Sequence, residues 1–171
     1  MAIREILKYP HPVLKGQARE VGQIDGELKR LVSDMTETMY NAGGVGLAAP
    51  QVGVLKRVIV VDVSPIDPQQ SFFAMINPEI VFEEGDVEHE EGCLSVPDCL
   101  EKVKRKEKVR VRGVSPEGTQ LEISGEGILG FALQHEIDHL NGVLILDRMS
   151  PLKRDVYRRK IKKERRKEER P

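Results

Sequence analysis

The hexapeptide Gln134-His135-Glu136-Ile137-Asp138-His139 constrains this chain more than any other stretch. Side chains four apart lie on one face of a helix, so His135 and His139 can each turn an imidazole nitrogen toward a single metal ion, with Glu136 beside them. Any fold that uses them must bring another segment against this helix to complete the site. A catalytic site of this kind takes three protein ligands and leaves one position for water, whereas a structural zinc site closes with four. The chain has two cysteines, Cys93 and Cys99, and a closed site would need both, at a spacing unusual for chelation and with Pro97 between them. Two surface histidines on an amphipathic helix would give the same pattern, so at this level the three readings stand side by side.

The helix is expected over Gly127 to Leu140, ended by Asn141-Gly142. Ile128, Phe131 and Ala132 precede His135 by seven, four and three residues and share its face, so the imidazoles extend an apolar stripe. A stripe that ends at a metal implies that whatever reaches the metal carries an apolar group nearby.

Upstream, Tyr9-Pro10-His11-Pro12 excludes a helix, and Ile3 to Ala18 reads as an irregular arm. Asp25 is an N-cap, and Leu28, Leu31, Val32, Met35 and Met39 fall at the spacing of a core-facing helix that stops at Gly43-Gly44. The stretch Gly43 to Gly53 is rich in small residues that let a backbone approach another group closely. Gln51 is its one side chain able to donate hydrogen bonds there. By itself it also suits a plain helix-to-strand connection. Arg57 to Val63 reads as a buried strand, and Phe72–Ile76 and Glu79–Glu83 as strands divided by Asn77-Pro78. The acidic run Glu83–Glu91 reads as a solvated hairpin. Lys102–Gly113 alternates as a strand with one wet face, and Thr119–Ser124 returns from the turn at Ser115–Gly118.

The pattern predicts an α+β fold: mostly antiparallel sheets packed around a central metal-binding helix, with an N-terminal helix and a C-terminal basic helix. With 39% hydrophobic and 32% charged residues, 171 residues suit one compact domain. No run is apolar enough for a membrane span, and MAIREILKYPHP lacks a signal-peptide core, so the bacterial cytoplasm, where both thiols stay reduced, is the expected compartment. Residues 151–171 carry 11 Lys/Arg and 4 Asp/Glu, a charge of +7 on a chain whose net charge is −1. The expected organisation is a catalytic domain over 1–150 and a basic helix or tail of the same domain over 151–171. Ser150-Pro151 would start that helix, docked by Leu152, Val156 and Tyr157, with Asp155–Arg159 and Arg165–Glu169 pairing along it.

Three segments occur together and in order: Gly44-Val45-Gly46-Leu47-Ala48-Ala49-Pro50-Gln51, Glu91-Gly92-Cys93-Leu94-Ser95, and the hexapeptide. In these the chain resembles the peptide deformylases, with further matches at Ile6–Pro10, Ile76-Asn77-Pro78 and Leu140–Leu144. The resemblance covers about residues 1–150. It implies a metal-dependent hydrolase that removes the formyl group from N-formylmethionine on nascent proteins. Cys93 would be the third ligand beside His135 and His139. Fe(II) would be the native divalent ion, with zinc, nickel or cobalt also able to serve. Glu136 would be the general base, with the Gln51 amide and the backbone N–H of Leu94 stabilising the oxyanion.

Ile128, Phe131, Ala132 and Val45 would then hold the methionine side chain, and the backbone near Gly46 would pair with the peptide. Arg105 matches a recurrent arginine of the family and is expected to pair with Asp138; the resemblance further implies that the basic C-terminal helix meets the ribosome, and no membrane or DNA partner is expected. His89 departs from it, standing where many members carry an apolar residue beside the pocket. Two alternatives share the scaffold: a metal amidase for another formylated or acylated substrate, and a non-catalytic ribosome-binding protein.

Overall fold

The computed structural model describes residues 2–169. Its elements are α1 (Gly26–Asn41), β1 (Gly46–Ala48), β2 (Val58–Val61), β3 (Phe73–Cys93), β4 (Val96–Val114), β5 (Gln120–Glu126), α2 (Gly127–Leu140) and α3 (Pro151–Glu169), with 3-10 turns before α1, between β1 and β2, and between α2 and α3. The strands form one antiparallel sheet in the order β1-β2-β3-β4-β5, with β1 at one edge. The α+β class is the expected one. No described helix is long and apolar enough to cross a membrane.

Helices α1 and α2 cover opposite faces of the sheet. Asp25 caps α1 by accepting from the Leu28 N–H at 2.9 Å, and the predicted Leu28, Leu31, Val32, Met35 and Met39 stripe packs on Val58, Val60, Ala74 and Ile76. On the other face Leu129, Leu133, Ile137 and Leu140 of α2 meet Ile59, Val61, Met75, Val109 and Val111. Strand β2 is therefore buried on both sides, the reason Val58–Val61 is an unbroken apolar run and not an alternating one.

The structure departs from the sequence expectation at Asn77-Pro78, which bends a strand without dividing it. β3 runs through both residues, with a register shift between Ile76 and Glu79. Asn77 takes a left-handed φ of 54°, held by two bonds to Val21: its Oδ1 accepts the N–H at 2.8 Å and its Nδ2 donates to the carbonyl at 2.9 Å. Pro78, without an N–H, lies at the shift, where the ladder loses nothing.

The acidic run is half of a long ribbon and not a separate hairpin. Glu84, Asp86, Glu88 and Glu90 of β3 face Lys108, Lys106, Lys104 and Lys102 of β4. Such exposed pairs contribute little each, but opposite signs across the ladder favour this register over its neighbours. The ribbon runs along α2 to the tight turn Cys93–Val96. There a third cluster, comprising Val96, Cys99, Val103, Leu144, Ile145, Leu146, Tyr157 and Ile161, ties the ribbon tip to α3.

Helix α3 docks through Tyr157, as expected, but with Ile161 beside it in place of Leu152 and Val156. Tyr157 and Ile161 are buried and the Tyr157 hydroxyl donates to the Pro97 carbonyl at 2.7 Å, while Leu152 and Val156 are 76% and 58% exposed. At about 100° per residue the two pairs lie on opposite sides of the helix. Within its described length neither expected ion pair forms along the helix; Lys153 reaches Glu101 instead, at 2.8 Å. Residues 170 and 171 of the expected tail lie outside the described residues.

Candidate metal centre and cleft

Helix α2 carries His135 and His139 one turn apart, and the ribbon tip brings Cys93 to them across 46 residues of sequence. One ligand atom from each lies within 4.8 Å of the others. Cys93 Sγ is 3.3 Å from His139 Nε2, which is 3.2 Å from His135 Nε2. A tetrahedral ion with bonds of roughly 2.0–2.3 Å would space such atoms by about 3.3–3.5 Å, so the donor set fits one divalent ion. Cys99, the other cysteine, is buried against Met149 and belongs to the third core cluster.

Charge is distributed so that the candidate ligands are held from behind. Glu91, two residues before Cys93, accepts from His135 Nδ1 at 2.8 Å, which leaves Nε2 for the metal side. Arg105 of β4 grips Glu91 with two bonds of 2.7 and 2.8 Å and reaches Asp138 on α2 at 2.6 Å, the pairing the sequence led us to expect. Arg148 adds two bonds of 2.7 Å to Asp138. Burial alone would raise the Glu91 carboxyl, but the bonds from Arg105 and His135 outweigh it and hold it at about 2. Burial likewise opposes charge on His135, yet the Cys93 sulfur and Glu91 raise its pKa well above the ordinary imidazole value, so an ion bound there takes the place of a proton. His139, enclosed and next to His135, is pushed well below that value and is neutral. The Gln134 side chain pins the same helix turn to β4, donating to the Lys106 carbonyl at 2.9 Å and accepting its N–H at 2.8 Å.

Glu136 points from α2 toward the glycine segment. Its Oε2 is buried with no hydrogen-bond partner among the described residues, and burial lifts its carboxyl to about 7. The close approach read from the glycines is to this carboxylate: a Cβ on Gly46 would lie 2.6 Å from Glu136 Oε1. Gln51 is oriented by its own turn, its Oε1 accepting the Ala48 N–H at 3.0 Å. The amide nitrogen is thereby turned to Ser95 Oγ at 3.1 Å and Cys93 Sγ at 3.9 Å.

Val45, Gly46, Gln51, Cys93, Leu94, Ile128, Phe131, Ala132, His135 and Glu136, all singled out in the sequence, line one cleft of ≈ 850 Å³, with His139 buried beneath it. The structure adds residues to which the sequence reading gave no role in the site. Ile66, assigned to a plain surface loop, and Leu100 stand exposed at its rim. Glu91, Ser95 and Arg148 complete the hydrogen bonds around the ligands. The strand period could have pointed to Glu91, since residues two apart share a face; Arg148 follows α2 in sequence and gave no such signal.

A family model described as polypeptide deformylase matches residues 3–155. A peptide deformylase of Thermodesulfovibrio yellowstonii is 56% identical over 162 residues, covering 95% of this chain and 98% of that one. Crystal structures of peptide deformylases from Legionella pneumophila and, with actinonin, from Ehrlichia chaffeensis superpose with a TM-score of 0.89 each. They share 47% and 38% identity and cover 99% and 96% of this chain, and 100% and 98% of their own. Matched nearly end to end in sequence and in fold, the chain belongs to the polypeptide deformylase family.

Proposed function

We propose that this chain removes the formyl group from the N-formylmethionine of nascent proteins in the cleft over Cys93, His135 and His139, releasing formate and a free amino terminus. The observation that supports this placement most is the convergence of three metal-binding atoms, a buried carboxylate and an oriented amide at the base of an apolar-walled cleft. Cys93 Sγ and the Nε2 atoms of His135 and His139 would hold one divalent ion. Such an ion, when bound, supplies Lewis acidity that lowers the pKa of water and polarises the formyl carbonyl.

The chain's own groups handle protons and charge. Glu136 takes a proton from the attacking water and delivers it to the departing amine nitrogen, while the water oxygen leaves in formate. One N–H of the Gln51 amide serves the oxygen that gains charge, with the backbone N–H of Leu94 as the second donor. Val45, Ile128, Phe131 and Ala132 receive the unbranched methionine side chain, and the backbone near Gly46 pairs with the peptide. A thiolate with two imidazoles accommodates Fe(II), zinc, nickel or cobalt, and Fe(II) is the resident ion in this reading.

Protein purified without air is expected to carry iron, and when loaded with Fe(II) or nickel to release formate from formyl-Met-Ala. Full metal occupancy without formate would sink the activity, and zinc as the sole ion would overturn the assignment of iron. The exposed basic face of α3 is the part of this reading that concerns the ribosome, whose RNA would bind it through salt-sensitive charge contacts. Replacing the exposed Lys162, Lys163, Arg165 and Arg166 with Glu should abolish ribosome co-sedimentation at low salt; unchanged binding would refute it.

A further inference from the structure

His89 stands in the wall of the cleft among apolar neighbours. Strand alternation turns Glu88 and Glu90 to solvent and His89 inward, opposite the buried Val103. Its ring stacks on Phe131 with centroids 4.1 Å apart and planes 18° from parallel. Stacking uses the face of the ring and leaves the edge free, and neither ring nitrogen has a protein hydrogen-bond partner among the described residues. Of the other polar groups in the cleft, Glu91 is engaged with Arg105 and His135 and Gln51 with Ala48 and Ser95, while Glu136 lies against Gly46. His89 is thus a side chain with an uncommitted donor and acceptor in the wall that also contains Val45, Ile128, Phe131 and Ala132.

We propose that His89 determines specificity, letting the cleft accept as the first residue of a formylated peptide an unbranched side chain that ends in a hydrogen-bond acceptor, methionine sulfoxide above all. This rests on the deformylase reading given above. Oxidation converts the flexible thioether into a polar, chiral group of similar length. In a wholly apolar pocket that oxygen would lose its water without replacement, which costs about ten- to a hundredfold in kcat/KM. An imidazole N–H beside Phe131 supplies the missing partner. The reduced thioether, a weak acceptor, makes little use of it, so His89 tells on the oxidised substrate far more than on the reduced one.

The test compares kcat/KM for formyl-Met-Ala-Ser and for each epimer of its sulfoxide, using metal-loaded wild-type protein, His89→Phe and His89→Leu. The wild type should turn over the better sulfoxide epimer within about tenfold of the methionine substrate. In both variants the sulfoxide-to-methionine ratio should fall by about tenfold or more. His89→Phe keeps an aromatic face on Phe131, so a lower ratio there reports the lost N–H and not lost packing. An unchanged ratio in His89→Phe, whatever the absolute rates, overturns the proposal, as does wild-type discrimination of about a hundredfold or more against both epimers. Failure of the wild type on the methionine substrate would instead count against the deformylase reading itself.

Discussion

Glu136→Gln is expected to lower formate release by about 10²–10⁴-fold while the metal content stays at the wild-type level. That loss is about 3–5 kcal/mol of transition-state stabilisation at 1.36 kcal/mol per decade. The substitution keeps the shape, which matters because a Cβ at Gly46 would already lie within 2.6 Å of the Glu136 carboxylate, so the site tolerates little change of volume. It removes the ability to take and return a proton and leaves Cys93, His135 and His139, the proposed ligands, untouched. Single-turnover rates with metal analysis on the same sample check it, and turnover at the wild-type rate would exclude Glu136 as the base.

The same variant should gain stability when free of metal. Burial lifts the Glu136 carboxyl to about 7 in the folded chain, above the ordinary value for a carboxylate in the unfolded one. The folded state then holds the proton more tightly, so stability declines as pH rises through that interval and is lowest above pH 7. A neutral glutamine removes the penalty, and chemical denaturation of the metal-free variant at pH 8 should show a gain on the order of 1–3 kcal/mol. A buried, unpartnered carboxylate is costly to the fold, and its retention fits a catalytic duty.

Arg105→Ala should have the largest effect on the fold itself, a loss of about 3–5 kcal/mol by urea denaturation. The guanidinium is buried, bridges Glu91 and Asp138, and its removal leaves Glu91 enclosed with only His135 as partner. Asp138 keeps Arg148, so the damage falls mainly on Glu91 and, through it, on the orientation of His135. Metal affinity measured against a competing chelator should accordingly drop by about 10–100-fold. Arg105→Lys should recover only part of either quantity, because an ammonium cannot make the paired bonds to Glu91 while reaching Asp138.

Acid sensitivity gives an independent readout. The Glu91 carboxyl is held at about 2, below its unfolded value, so its contribution is complete above the ordinary carboxylate range and is lost as pH falls toward 2. Without Arg105 the acid-unfolding midpoint should move to higher pH. An unchanged midpoint together with wild-type stability would show that the bridge contributes nothing.

Much of the scaffold was legible in the sequence because its signals are local. The α1 stripe, the Asp25 cap, the bounds of α2 and the apolar run of β2 each follow from periodicity and end chemistry within a dozen or so residues. Asn77-Pro78 departs from the sequence expectation because a proline in a strand ordinarily ends it, whereas here two bonds to Val21, 56 residues away in sequence, stabilise a bulge. The docking of α3 differs from expectation at Leu152 and Val156, though not at Tyr157, for a related reason. Leu152, Val156, Tyr157 and Ile161 are all apolar enough to dock, and the choice between the two sides rests on the ribbon tip at Pro97.

The site divides along the same line. From residue types and spacing alone the chain declares a helix with two imidazoles, a carboxylate and an apolar stripe, and a glycine segment able to approach something closely. Helical and strand periods decide which side chains share a face; they say nothing about what stands opposite that face. Only the tertiary structure decides that Cys93 meets His139, that the glycines close on Glu136, that Glu91 and Arg105 brace His135, and that His89 lies flat on Phe131 in the cleft wall. Those contacts span long stretches of chain, and they form because burying the two faces of one sheet and the tip of its ribbon leaves α2 a single place to pack.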